Sequence, residues 1–225
     1  MTYDKNDILD IFYKAGLGKD WYFTEDIVNN EFWFDLQNSS NHYFDEYYVG
    51  ATKAVFIPFN TDYVIKIPFN AIEYYDDVEG SGDTVPFDFA DGTFNNWDYC
   101  AVESERYFLT ESYGLEKLFV PTIFIGYVRK YPVYIQPRCA TMNKAKVSSE
   151  DSKIKVNKIC DKIHARSYIK ICDDWLGAVL ETYGEKMVEN LLHFLIEEGW
   201  NDFHSGNVGF YKGNPVIFDY SDFNE

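Results

Sequence analysis

Between Trp200 and Ser221 the sequence sets Asp202, His204, Asn207 and Asp219 around two short apolar runs, Val208-Gly209-Phe210 and Val216-Ile217-Phe218. Those residue types suit in-line transfer of a phosphoryl group. Such a transfer needs a carboxylate to orient the attacking hydroxyl, and an amide oxygen with a second carboxylate to hold magnesium against the phosphates. Asp202 fits the first role; Asn207 and Asp219 fit the second. Gly206 and Gly209 bracket a turn, and the two apolar runs predict a hairpin joined through Lys212-Gly213-Asn214-Pro215 that would bring Asn207 close to Asp219. Asp and Asn are also common in ordinary hairpin turns, so residue type alone leaves a structural role open.

The order Asp202-Phe203-His204-Ser205-Gly206-Asn207 resembles the D-x-H-x-x-N catalytic loop of the protein-kinase-like superfamily, in the branch of aminoglycoside phosphotransferases and other small-molecule kinases. The resemblance implies an α+β fold, with an antiparallel-sheet small lobe and a mostly helical second lobe binding ATP and magnesium between them. It gives Asp202 the catalytic role and His204 that of bracing the loop, and it makes Asn207 and Asp219 the metal ligands. Only six residues follow Asp219, so the second lobe would be truncated after the metal-binding Asp, without the segment that binds an acceptor in that family.

Upstream, Tyr47-Tyr48-Val49, Ala54–Ile57 and Tyr63–Ile67 read as strands. Lys66 lies in the apolar run Val64-Ile65-Lys66, where a charge must be compensated by a carboxylate or a phosphate; an edge-strand lysine is the alternative. In the resembling family this lysine holds the α- and β-phosphates. There the first two strands are joined by a glycine-rich loop over the phosphates. Here Gly50-Ala51-Thr52-Lys53 has the single glycine Gly50, which leaves the Thr52 hydroxyl and Lys53 as side-chain substitutes for the missing amides. A helix predicted from Trp97 to Tyr113, stopped by Gly114 and with Cys100, Tyr107 and Phe108 on one side, would supply the carboxylate that fixes Lys66. Glu103, one turn before Tyr107, is the candidate, with Glu105 in reserve. Two more strands follow, Leu118–Val128 and Tyr131–Gln136, and the resemblance makes Gln136-Pro137-Arg138 the hinge beside an adenine.

The remaining segments carry less chemistry. Ile8, Leu9, Ile11, Phe12 and Ala15 predict a helix ended by Gly16-Leu17-Gly18, and a second helix is expected after Thr24, carrying Ile27, Phe32 and Leu36. Residues 67 to 105 contain no Lys or Arg, and the stretch of about 70–97 reads as an acidic insert beginning in a long loop. Residues 139–153 read as loop, 154–171 as chiefly helical, and 174–198 as a long helix leading to Asp202. The expected division is a helical extension over 1–45, a small lobe over 46–137 and a truncated large lobe over 138–225, forming one compact unit.

Composition narrows the partners. With 37 Asp and Glu against 20 Lys and Arg the net charge is -17, which argues against a direct nucleic-acid ligand. The acidic, aromatic-rich surface could instead capture a basic protein. An alternative function follows: a catalytically inactive kinase-shaped inhibitor or decoy of a basic, nucleic-acid-binding partner, with a size and charge that would suit viral origin. Nucleotidyl transfer, which would use much the same residues, is a third. Cys100, Cys139, Cys160 and Cys172 form no C-x-x-C pair, and neither a signal peptide nor a membrane-spanning run is evident. The expectation is a cytoplasmic protein, in the host cell if viral, that binds a nucleotide and an acceptor hydroxyl the sequence does not name.

Overall fold

The computed structural model describes residues 3–14, 17, 44–49, 53–68, 72–75, 82–85, 98–129, 131–142 and 148–221. The fold is mixed α+β. It divides into two compact units, residues 1–102 with 122–137, and residues 103–121 with 138–225. Among the described residues no helix is long and apolar enough to cross a membrane.

The first unit is built on a five-stranded antiparallel sheet of order β1-β2-β3-β7-β6. Its strands are β1 (Phe44–Val49), β2 (Lys53–Pro58), β3 (Tyr63–Pro68), β6 (Ile123–Val128) and β7 (Tyr131–Pro137). Side chains alternate faces along a strand. Ala54, Phe56, Tyr63, Ile65, Ile67, Tyr131, Val133 and Ile135 accordingly gather on one side, where helix α1 (Lys5–Lys14) adds Ile8 and Phe12 to the same core. Phe12 meets Phe56 edge-on with ring centroids 5.0 Å apart, and burying one such side chain contributes about 1.5–3 kcal/mol. The helix placed by sequence in an N-terminal extension thus shares its core with the sheet. The second helix expected after Thr24 lies outside the described residues.

Two expectations for this unit are corrected. Ile72–Tyr75 (β4) and Gly82–Val85 (β5) pair antiparallel where the start of the acidic insert was read as loop, because the β-favouring Ile72, Tyr74, Tyr75, Thr84 and Val85 supply two short strand-forming runs. Strand β6 begins at Ile123 and not at Leu118. Residues Glu116–Leu118 form a 3-10 turn, Val120 donates its N–H to the Ile217 carbonyl (2.9 Å), and Pro121 has no N–H to offer a ladder.

Helix α2 (Tyr99–Ser112) runs from the first unit into the second. Its start is fixed by Asp98, whose Oδ1 accepts from the Ala101 N–H at 2.9 Å, as an N-cap does. Its end is fixed at Gly114, in left-handed backbone with φ +67°. Cys100 is buried but Phe108 is 68% exposed, so the two do not share a face as expected.

In the second unit, α3 (Glu150–Lys162), α4 (Asp173–Tyr183) and α5 (Glu185–Glu198) surround Trp175, Leu176, Val188, Leu191, Leu192 and Leu195. The sequence reading merged α4 with α5; Gly184, at φ +85°, separates them. Helix α3 begins earlier than expected because the Ser149 hydroxyl caps it by accepting from the Ser152 N–H. It stops before His164, which takes φ +55°, and the chain continues through the 3-10 turn Ala165–Ser167 into β9 (Lys170–Ile171). The four cysteines are free thiols, and burial pushes the Cys160 thiol up from its ordinary pKa.

Within the first unit the Tyr134 hydroxyl donates to Asp98 Oδ2 at 2.6 Å, fastening the start of α2 to the sheet. Burial, and then the Asp98 carboxylate, raise the Tyr134 pKa far above its ordinary value. A raised folded-state value means the stabilisation is complete below the unfolded pKa of about 10 and is lost as pH rises past it. Urea unfolding should therefore find Tyr134→Phe less stable by about 1.5–3 kcal/mol near pH 7, with the deficit shrinking above about pH 10.

Candidate functional site

Everything that positions Asp202 is local to the second unit. Helix α5 ends at Gly199, where φ is +70° and the Trp200 N–H returns to the Leu195 carbonyl at 2.9 Å. The chain then extends as β10 (Asp202–Phe203), parallel to β9, with the Lys170 N–H on the Asn201 carbonyl (2.7 Å) and the Cys172 N–H on the Phe203 carbonyl (3.0 Å). Strand alternation sends Phe203 into the core, fully buried, and leaves Asp202 half-buried on the other side.

A tight turn follows. The Asn207 N–H donates to the His204 carbonyl and the Gly206 N–H to His204 Nδ1, each at 2.9 Å. With Nδ1 accepting, the neutral ring carries its proton on Nε2, 3.9 Å from Asp202 Oδ2. A Cβ on residue 206 would lie 2.7 Å from the imidazole, so this arrangement needs glycine there. The Asn207 amide Nδ2 donates to the Asp202 carbonyl at 2.9 Å and to its Oδ2 at 3.3 Å. That fixes the side chain of Asn207 against Asp202.

The expected hairpin is present as β11 (Val208–Tyr211) and β12 (Asn214–Ile217), joined by Lys212 and Gly213 at φ +50° and +83°. Two successive positive φ values match the twist of the flanking strands. Asn214 and Pro215, read by sequence as turn, pair in β12. Val208 opposes Ile217, so Asn207 reaches Phe218 and Asp219, whose N–H groups donate to the Asn207 carbonyl at 3.1 and 3.3 Å. The backbone of Asp219 is thereby brought beside Asn207, whose side chain lies on Asp202, while Asp219 Oδ1 accepts from the Ser221 hydroxyl at 3.4 Å.

Beyond Asp219 the chain is anchored again. The Tyr220 hydroxyl donates to the Val120 carbonyl at 2.8 Å, and Arg106 of α2 donates from a guanidinium nitrogen to the Tyr220 carbonyl while lying 4.6 Å from the centre of the Trp200 ring. Arg106 is a positioning residue that sequence reasoning missed. It is the first basic residue after the acidic stretch, but nothing in spacing ties it to a carbonyl 114 positions away.

Asn207 Oδ1 and the Asp219 carboxylate are oxygen donors that could hold a cation. Because the Nδ2 of Asn207 is directed at Asp202, its oxygen is the part left for a cation, and Asp219 supplies a carboxylate. Among the described residues no three His, Cys, Asp or Glu converge as a protein cage. An amide and a carboxylate completed by substrate phosphates is the kind of set magnesium takes.

In the first unit, Lys66 is 3% exposed in β3, opposite Val55 of β2 and Tyr134 of β7. Lys53, at the start of β2, is equally buried. Gln136 is buried and donates from Nε2 to Thr122 Oγ1 at 2.9 Å, while Arg138 is exposed just past the point where the chain passes between units. Of the two candidate glutamates on α2, Glu103 is fully buried and Glu105 exposed. Gly50 and Thr52 lie outside the described residues.

No protein-family model matches the chain, and no curated protein is similar enough to match it.

Gly209 sets the hairpin against β8 (Ala140–Thr141). A Cβ there would lie 2.1 Å from the Ala140 carbonyl oxygen, and the Gly209 carbonyl accepts from the Trp175 indole at 3.1 Å. Chemical denaturation of Gly209→Ala should show a loss of about 1–3 kcal/mol, since backbone must move to admit the methyl group. Gly213→Asn, at an open left-handed position, should cost much less.

Proposed function

We propose that the chain is an ATP- and magnesium-dependent phosphotransferase of protein-kinase-like fold, acting on a hydroxyl of a small molecule or protein. The observation that carries the reading is the double engagement of Asn207, with its side chain on Asp202 and its carbonyl on the Phe218 and Asp219 amides. It holds a hydroxyl-orienting carboxylate and two oxygen donors for a cation in one arrangement. Further support comes from chain order: three antiparallel strands with a buried lysine on the third, then a helix with a buried glutamate, then two more strands of the same sheet.

In this reading Asp202 orients the acceptor hydroxyl and takes up its proton as the bond to phosphorus forms. Asn207 Oδ1 and the Asp219 carboxylate would hold magnesium, which when bound neutralises charge on the phosphates. Lys66 holds the α- and β-phosphates. His204, locked through Nδ1 to the Gly206 N–H, keeps the loop in shape beside Asp202.

Calorimetry with ATP, with and without magnesium, tests the reading. The wild-type chain should bind ATP in a magnesium-dependent manner, and Asp219→Ala should abolish that dependence. Asp202→Ala should keep binding yet slow phosphate release to water by about 10²–10⁴-fold. A wild-type protein that gives no binding heat with ATP and magnesium would sink the reading.

A further inference from the structure

Lys170 lies beside Asp202 and takes no part in the arrangement around Asn207. Strands β9 and β10 run parallel, with Lys170 level with Asp202 and Ile171 level with Phe203, at the spacing of about 4.8 Å that separates neighbouring strands. Side chains level with each other in such a pair leave by the same face. Phe203 is fully buried in the core of the second unit and Ile171 packs against that core, so Lys170 and Asp202 share the outer side. Exposure agrees with this. Lys170 is exposed, Ile169 before it is buried, and Tyr168 before that is 62% exposed.

The charge of this segment is unlike that of the rest of the chain. Residues 153–170 hold six Lys and Arg against the single acid Asp161, in a protein of net charge -17. Three of the six are tied down within the second unit, Lys153 to Asp174, Lys162 to Glu189 and Arg166 to Asp173. Among the described residues Lys155, Lys158 and Lys170 form no ion pair. What Lys170 gives the fold is its backbone, whose N–H donates to the Asn201 carbonyl at 2.7 Å. Its ammonium, on a flexible four-carbon stem, faces whatever docks on Asp202. Such a cation attracts an anionic acceptor and repels a cationic one, and selection uses both effects.

We infer that Lys170 is an acceptor-selecting residue, which takes a carboxylate or phosphate that the acceptor carries next to the hydroxyl oriented by Asp202. The reaction rests on the function proposed above; Lys170 adds the substrate class, an anionic hydroxyl compound. For a peptide acceptor, an extended chain rising about 3.3 Å per residue sets the anion within about one to three residues of the hydroxyl. The transfer itself is unchanged. The acceptor oxygen bonds to the γ-phosphorus, the bond to the departing ADP breaks, and the hydroxyl proton goes to Asp202.

The test is phosphate transfer from ATP and magnesium by the full chain to single-serine peptides flanked by Glu, Ala or Lys, and to glycerol 3-phosphate against glycerol. Calorimetry of the same probes and of ATP runs in parallel. Wild type should favour an anion-bearing probe over its neutral counterpart by about 10- to 100-fold in kcat/KM, mostly through KM and less so as salt rises. The peptide and glycerol arms tell which source supplies the anion. Lys170→Met should erase the preference and Lys170→Arg keep it. Lys170→Glu should turn it towards Lys-flanked serine, an inversion that a merely structural role would not produce. Circular dichroism checks folding, which replacing an exposed side chain should leave intact. A wild type with no preference for either anionic probe, or a Lys170→Met variant that keeps the preference, overturns the inference. ATP binding without that preference removes this inference alone; Lys170-dependent binding of an anionic probe without ATP binding keeps the anion site and removes the phosphotransferase.

Discussion

The side chain of Asn207 bonds backward to Asp202 and its backbone carbonyl accepts from two residues ahead of it, Phe218 and Asp219. Each such bond is worth only about 1 kcal/mol net, but together they make one residue the common reference for the side chain of Asp202 and the backbone of Asp219. The rest of the second unit can be understood as what this arrangement requires. Gly206 lets the turn fold tightly over the His204 ring, and the left-handed pair Lys212 and Gly213 sets the hairpin register that delivers Asp219. Gly209 and Trp175 seat the hairpin on β8 and on the helical core, so the reference residue is itself rigidly held.

Rigidity past Asp219 comes from aromatic and cationic groups, not from more strand. Tyr220 is almost fully buried, sits edge-on to Phe119 with centroids 5.3 Å apart, and has its hydroxyl and carbonyl both bonded. Arg106, stacked on Trp200, links α2 to this segment. The helix that carries the buried Glu103 therefore also steadies the backbone beside Asp219.

The first unit follows a different logic. β3 and β7 are buried on both faces, so their polar members stand out against an apolar background. α1 covers the face of Phe56 and Ile65, leaving Lys53, Lys66, Tyr134 and Gln136 to the other. There the polar groups are held by specific bonds, Gln136 to Thr122 and Tyr134 to Asp98, and not by packing alone. The start of α2 is tied to that same face, so one hydrogen bond fixes both the helix and the surroundings of Lys66's cross-strand neighbour.

Local pattern carried much of this into the sequence. Alternation in β2, β3 and β7, the helix ended by Gly114, and the Val208–Phe210 and Val216 runs are readable because strand and helix periods and glycine stops act over a few residues. The approach of Asn207 to the backbone of Asp219 was legible for the same reason, since a short hairpin joins them. The break at Gly184, the early start of α3 at Ser149 and the β4–β5 pairing were not read, because each depends on which of several local options gains packing or a cap. What the sequence by itself determined is the identity and local spacing of the candidate groups. Only the tertiary structure decided that Lys53 and Lys66 are both buried on one sheet face, that Glu103 and not Glu105 is enclosed, and that Arg106 holds the carbonyl of Tyr220, because burial and long-range hydrogen bonds belong to the packed chain and leave no periodic mark on it.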